Sequence, residues 1–521
     1  MAHSRCARTA SSRCANGAAL DLQLGLRVTR VIVGLPVDAR PAVRSQVQQM
    51  VSCAGWALRL PPLTALGHFR VPADRDALAG WLMQQAAHAD AFVLSLDMLV
   101  YGGLVPSRFI ADPLQALLQR LAVVEALHAA APGKPIHAFA ATMRISNNDV
   151  ADEEKPYWST HGRRLWAWSH HGDHARSTGD AASAALAAAA EAHIPQAVRD
   201  DYTATRARNH AVTRAALGLV SRGVIARLVL PQDDTAQHGI NIAERRALQG
   251  EVTRLGLQER VAIHPGADEV MHTLCARTVA TLEGRAPLRV ALAPSDPQHI
   301  GRLHALYEDR PLLDSIASQV DAVGAVLVDA AAAADLLLAV HTQGCEQGDW
   351  AMQRALPARV PIEGRWFDTL RGWQRSGRPL ALADLAFANG GDPWLLGQPA
   401  LPPPAIFSAY AGWNTASNSL GSVLAQSVLA FGREHEAAAR QALALRWLED
   451  LQYQGVLRQA LRREFEETAT DPSTLLDAAR RIVLPPLNAW AKTQRLGFAV
   501  ADLAFPWGRI FEIDLQLEPA A

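Results

Sequence analysis

The chain has 521 residues, 49% of them apolar and 19% charged, with Lys+Arg 50 set against Asp+Glu 51. That length implies two or three domains rather than one core, and that composition excludes a disordered chain. A net charge near zero leaves no field that would steer the protein toward nucleic acid or an anionic membrane surface.

The first stretch, "MAHSRCARTASSRCANGAALDLQLGL", is rich in Arg and Ser and lacks the unbroken apolar core of a secretory signal. It predicts a disordered extension over residues 1–28. The cysteines (Cys6, Cys14, Cys53, Cys275 and Cys345) are scattered with no CxxC pair, so neither a structural zinc site nor a disulfide framework is indicated. No apolar run approaches the ~20 residues that span a bilayer. A soluble, cytoplasmic protein is expected.

From residue 30 onward, short apolar runs alternate with longer helical patterns, the signature of parallel β/α units. The first series of candidate strands is "RVIVGLP" (30–36), "WALRLP" (56–61), "AFVLSLD" (91–97), "IHAFAAT" (136–142), "RLVLPQD" (227–233) and "RVAIHPG" (260–266). A second series is "RVALAPS" (289–295), "GAVLVD" (324–329), "DLLLAVH" (335–341), "LALADLAFA" (380–388) and "AIFSAYA" (405–411). Runs this apolar, without alternation, belong to strands buried on both faces.

Eleven runs exceed the eight strands of one closed barrel. The expected fold is therefore α/β, with parallel repeats in two doubly wound, Rossmann-like lobes. A (β/α)8 barrel with an added α/β lobe is the alternative. The first lobe is placed at 29–286, with a helical insertion at about 150–222, and the second at 287–416. Residues 417–521 read as a helical C-terminal region ending in a strand pair around "FAVADLAFPWGRIFEIDLQL". No internal symmetry beyond the β/α rhythm is visible.

Ligands in parallel α/β folds sit outside the carboxyl ends of the strands, so the residues after each apolar run carry the functional reading. They are Asp38 and Arg40; Asp97, Tyr101 and Arg108; Arg144, Asn147 and Asn148; Gln232, Asp233, Asp234 and His238; His264, Asp268 and Glu269. The second series adds Asn389 and Asp392, then Trp413, Asn414 and Asn418. Each has a structural alternative. Asp97 could cap a helix, Asp392 could shape a turn before Pro393, and Arg40 could serve only as the ion-pair partner of Asp38. The adjacent Asp233 and Asp234 could likewise cap the next helix.

Three chemistries compete for this rim. No GxGxxG or P-loop pattern follows a strand, so no nucleotide cofactor is implied. Metal-dependent hydrolysis could draw on Asp38, Asp97, Asp233, Asp234, His238, His264 and Asp268, but no HExxH or tight His-x-His spacing appears. Glycoside hydrolysis needs carboxyls flanking the scissile bond, and "QDD" and "GADE" supply Asp233, Asp234, Asp268 and Glu269 as catalytic candidates. The substrate fringe would be Asp38, Arg40, Asp97, Tyr101, Arg108, Arg144, His238, Asn389, Asp392, Trp413, Asn414 and Asn418. Trp158, Trp166 and Trp168 in the insertion are either sugar platforms or core.

Taken together, "LPVDARPA", "SLDMLVYGGLVPSR", "PQDDTAQHGINIAERRAL", "HPGADEVMHTLCAR", "YEDRPL", "ANGGD", "AYAGWNTASNSLG" and "FPWGRIFE" resemble the domain-of-unknown-function family 4127 from residue 35 to 512. Ala39 departs from that family's pattern, where a second acid is usual, which weakens a catalytic reading of this position. The resemblance implies kinship along the chain and no activity. A narrower likeness, covering two residues, is to the paired aspartate of substrate-assisted N-acetylglucosaminidases. It would imply that Asp233 orients an acetamido group and Asp234 protonates the leaving oxygen. The expected activity is hydrolysis of an amino-sugar glycoside without metal or cofactor. The alternatives are a metal-dependent hydrolase, or a non-catalytic carbohydrate or metabolite binder that closes "NGGD" and "GWNTASN" over its ligand. A small carbohydrate is the expected partner, with neither nucleic acid nor membrane.

Overall fold

The computed structural model describes residues 29–465 and 471–520. The extension expected over residues 1–28 lies outside the described residues. Each of the eleven apolar runs contains a strand. Strands β1 (Val31–Leu35), β2 (Ala57–Arg59), β3 (Ala91–Ser95), β4 (Ile136–Phe139), β5 (Arg227–Gln232) and β6 (Val261–Pro265) form one sheet in the order β2-β1-β3-β4-β5-β6. All of its pairings are parallel.

The later strands are β7 (Arg289–Pro294), β8 (Val326–Leu327), β9 (Leu336–His341), β10 (Gly348–Asp349), β11 (Leu380–Asp384), β12 (Phe387–Ala388) and β13 (Ala409–Ala411). Five of them make a second parallel sheet in the order β13-β11-β9-β7-β8, while β10 pairs only with β12. Read from its edge at β8, this sheet repeats the strand order of the first five strands of the other. Both sheets are open and doubly wound, so the barrel alternative is not formed. Each reverses direction beside its first strand, at β1/β3 and β7/β9, where such folds bind ligands.

The sheets are joined through helices. Helix Ala416–Ala430 is apolar around most of its circumference and buried along its whole length, as a helix enclosed on every side must be. It shares one apolar core with Val270, Leu274 and Val279 of the first lobe and with Val290, Leu338 and Ala381 of the second. Close approach is possible because Gly421 has no side chain. A Cβ there would lie 2.3 Å from Glu269 Cγ.

Between β4 and β5 the chain forms helices Trp158–Thr178, Ala181–Glu191 and Gln196–Ser221. Trp158, Leu165, Ile194 and Tyr202 give this insertion a small core of its own. Near the C-terminus, helix Ala437–Arg446 widens into π-type turns over Trp447–Leu457, an uncommon geometry, before continuing as Arg458–Glu464. The last strands, β14 (Phe498–Ala504) and β15 (Asp514–Pro519), pair antiparallel and carry a long tip between them. Among the described residues no helix is long and apolar enough to cross a membrane.

Candidate active site

The carboxyl ends of both sheets face one cleft of about 600 Å³. Arg40, Arg108, Arg144, Asp233, Asp234 and Asp268 line it from the first lobe, and Tyr307, Asn389 and Asn414 from the second. Trp166 of the insertion and Trp507, Arg509 and Phe511 of the β14–β15 tip complete the walls.

Beyond β1 the chain brings Arg40 inward. Its Nε donates to Asp38 Oδ2 at 2.9 Å, and its Nη1 and Nη2 donate to Asp268 at 3.2 and 2.5 Å. Asn414 Nδ2 donates to the same Asp268 carboxylate at 2.6 Å, which ties the lobes together across the cleft. Asn418 lies one layer deeper and accepts the backbone N–H groups of Ala267 and Asp268.

Beyond β3, Ser95 and not Asp97 caps the following short helix. Asp97 instead accepts the Ala141 N–H at 2.9 Å. Burial, with a contribution from Asp233, pushes its carboxyl up to about 7. Arg108 donates to Asp233 Oδ2 at 2.8 Å and to Glu154 Oε1 at 3.2 Å. Arg144, beyond β4, donates to Asp234 Oδ2 at 3.0 Å and to Glu154 Oε1 at 3.0 Å.

The adjacent acids beyond β5 are therefore divided between two arginines. They do not start the next helix: Ile240–Arg254 begins at Gly239 without a side-chain cap. Its first N–H groups are taken by Asp173 and Ser169 of the insertion. Asp234 is pushed up to about 6 by burial and by Asp233, against the pull of Arg144 and Arg108. Asp268 is also pushed up to about 6, by burial and by Asp38 and Asp233, against Arg40. Proximity to Asp233 contributes to raising Asp97, Asp234 and Asp268 alike.

The backbone is strained at this rim. Seven described non-glycine residues have positive φ, and four of them line the cleft: Asp234 (26°), Tyr307 (66°), Asn389 (61°) and Asn414 (67°). Asp and Asn tolerate this region better than other residues, whereas a tyrosine needs external restraint. Tyr307 has it. Its hydroxyl donates to Asp349 Oδ2 at 2.5 Å and its carbonyl accepts Thr235 N–H at 3.0 Å. Asp349 also accepts from Asn389 Nδ2 at 3.0 Å, so one buried acid fixes two cleft residues.

The model of a family described as "Protein of unknown function (DUF4127)" matches residues 32–516. The chain belongs to the DUF4127 family. The match runs from β1 into β15 and so includes every residue of the cleft named above. No curated protein matches this DUF4127 chain.

Several candidates from the sequence lie elsewhere in this DUF4127 chain. Glu269 opens the helix Val270–Leu282 and turns away from the cleft into the space left by Gly266 and Gly421. There it accepts Gln319 Nε2 at 2.7 Å, fully enclosed, so it is not beside the Asp233–Asp234 pair. His238 packs against His174 and His170 of the insertion. Asp392 caps Pro393–Leu396 and pairs with His341 and Arg359, both in the second lobe. Tyr101 is buried beneath the Arg208 guanidinium, and Trp413 is buried against Phe511. Of the insertion tryptophans, Trp158 is core and Trp166 reaches the cleft.

Glu153, Tyr307, Trp507, Arg509 and Phe511 escaped the sequence reading. The last three stand two residues apart in "WGRIF", within a tip of turns and bends in which the Arg509 guanidinium lies over the rings of Trp507 and Phe511. That alternation of aromatic and basic residues was the available signal.

Burial pushes Glu269 up to about 8. Unfolded, it titrates near ~4.3, so the folded chain holds an extra proton between these values. Its contribution to stability is complete at low pH and is lost as pH rises through 8. Glu269→Gln, neutral at all pH, should match the wild type at pH 5 and exceed its melting temperature at pH 9. A shift from ~4.3 to about 8 is worth several kcal/mol, so the gain should be on the order of 10 °C, at roughly 2–4 °C per 1 kcal/mol in a mid-sized domain. A difference that is the same at both pH values would contradict this assignment.

Proposed function

We propose that this chain is a hydrolase that cleaves the glycosidic bond of an amino sugar held in the cleft between the lobes. Asp234 serves as general acid and protonates the leaving oxygen, while Asp233 orients the substrate's acetamido group. The acetamido oxygen bonds to the anomeric carbon as the glycosidic bond breaks, and water then opens that cyclic intermediate to give the free sugar. The observation that carries this reading is the Asp234 carboxyl. It keeps 30% of its side-chain surface open and is pushed up to about 6, so it holds its proton into the mildly acidic range, where an ordinary aspartate has lost it. Asp233, bound to Arg108, supplies the negative charge an oxocarbenium-like transition state requires.

The lining supports a sugar. Asn147, Asn148, Asn389 and Asn414 bring amides to the lining, and Trp166 and Tyr307 add aromatic surface. The rings of Trp507 and Phe511 back the arginines that overlie them. A purely binding module gains nothing from an acid kept partly protonated in its cleft. A metal-dependent hydrolase would need these carboxylates as ligands, whereas Asp233, Asp234 and Asp268 are each engaged by an arginine.

A panel of chromogenic glycosides, assayed with and without EDTA, tests the proposal. Release from an N-acetylated amino-sugar glycoside is expected, surviving chelation and declining as pH rises above about 6, where Asp234 loses its proton. Turnover abolished by chelation and restored by added zinc would favour the metal-dependent reading. Silence across the panel would remove the glycosidase reading altogether.

A further inference from the structure

We propose that Arg108, Arg144 and Arg509 form a subsite for an oxyanion carried by the substrate, and that the Glu153 carboxylate occupies this subsite from within the chain. Arg509 Nη2 donates to Glu153 Oε1 at 2.7 Å. Arg144 Nη2 and Arg108 Nη1 lie 3.0 and 3.4 Å from Glu153 Oε2. All four side chains line the cleft. One carboxylate gripped by three guanidiniums is the arrangement by which proteins recognise carboxylate and phosphate ligands.

The cage persists without Glu153, because each arginine has a second acidic partner. Arg108 keeps Asp233 and Glu154, Arg144 keeps Asp234 and Glu154, and Arg509 keeps Glu512. Among the described residues, Glu153 is the only acid shared by all three. Burial alone would raise its pKa, but Arg144, Arg509 and Arg108 together hold it well below the usual carboxylate range.

Glu153 can leave by side-chain rotation. The irregular segment that carries it is pinned by Arg70 Nη1, which donates to the carbonyls of Ala151, Asp152 and Glu154. An incoming oxyanion would replace one negative charge by another without leaving a buried arginine unpaired, the change that is costly. The cleft therefore selects an acidic sugar, either a uronate or a sugar phosphate, and Glu153 competes with it.

This inference rests on the carbohydrate reading for its ligand class, but binding tests it apart from turnover. Titration calorimetry would compare D-glucuronate, glucose 6-phosphate and neutral D-glucose on the wild type, Glu153→Gln and Arg509→Gln. Glu153→Gln should bind at least one anion about tenfold more tightly than the wild type, with glucose unchanged. The anion that gains more identifies the class. Arg509→Gln leaves Glu153 in place and should bind the same anion more weakly than the wild type. Glu153→Gln binding both anions no better than the wild type, or gaining equally for glucose, would overturn the proposal. So would Arg509→Gln with unchanged anion affinity. Because no step is catalysed in this assay, a failed glycoside panel and a failed anion titration are separate results.

Discussion

Asp234→Asn should lower turnover on a glycoside with a poor leaving group by about 10²–10⁴-fold, the usual worth of a positioned general acid. Asparagine keeps the shape, the tolerance for positive φ and an oxygen that can accept from Arg144 Nη1. It cannot release a proton. A glycoside whose leaving group departs without protonation should lose much less, so the ratio of the two losses reports the acid role. The melting temperature should change little, because no helix N-terminus depends on this side chain. Equal small losses on both substrates would reduce the pair to a structural anchor for Arg108 and Arg144.

Arg40→Met should destabilise the fold by about 3–5 kcal/mol at pH 8, the cost of breaking a buried ion pair from one side. Methionine preserves most of the volume beside Trp507, which the guanidinium overlies at 5.0 Å. It leaves Asp38 and Asp268 facing each other, with side chains 9% and 8% exposed and no cation between them. The loss should be smaller at pH 5. Asp268 is already raised to about 6 with Arg40 present, and removal of the arginine raises it further. A group raised above its unfolded value contributes stability below that value and loses it as pH climbs through the folded pKa. The variant should therefore be relatively sounder in acid. Urea unfolding midpoints at pH 5 and pH 8 measure the difference, and an equal loss at both would mean that Arg40 acts only through packing.

The β/α rhythm and the strand positions were legible because a strand buried on both faces has to be written as a continuous apolar run. The same rule placed Arg40, Arg144, Asp233, Asp234 and Asp268 beyond the carboxyl ends of strands. Arg108 instead reaches the cleft from the short turn Pro106–Arg108, past the helix Leu96–Tyr101. Local sequence stopped at the direction of a side chain. Glu269 follows β6 just as Asp268 does. One faces Arg40 and the cleft, and the other faces Gln319 because the buried helix Ala416–Ala430 covers that side.

The common strand order of the two sheets was equally out of reach, because hydrogen-bonding partners in a parallel sheet are distant along the chain and leave no local mark. Long-range packing likewise brought Tyr307, Glu153 and the Trp507–Phe511 tip to a rim built by other segments. Period and polarity are properties of neighbouring residues, and they established the strands, their buried faces and the residues at their ends. Which of those residues meet across the cleft depended on contacts between segments hundreds of positions apart, where burial and the nearest opposite charge set the protonation of each acid.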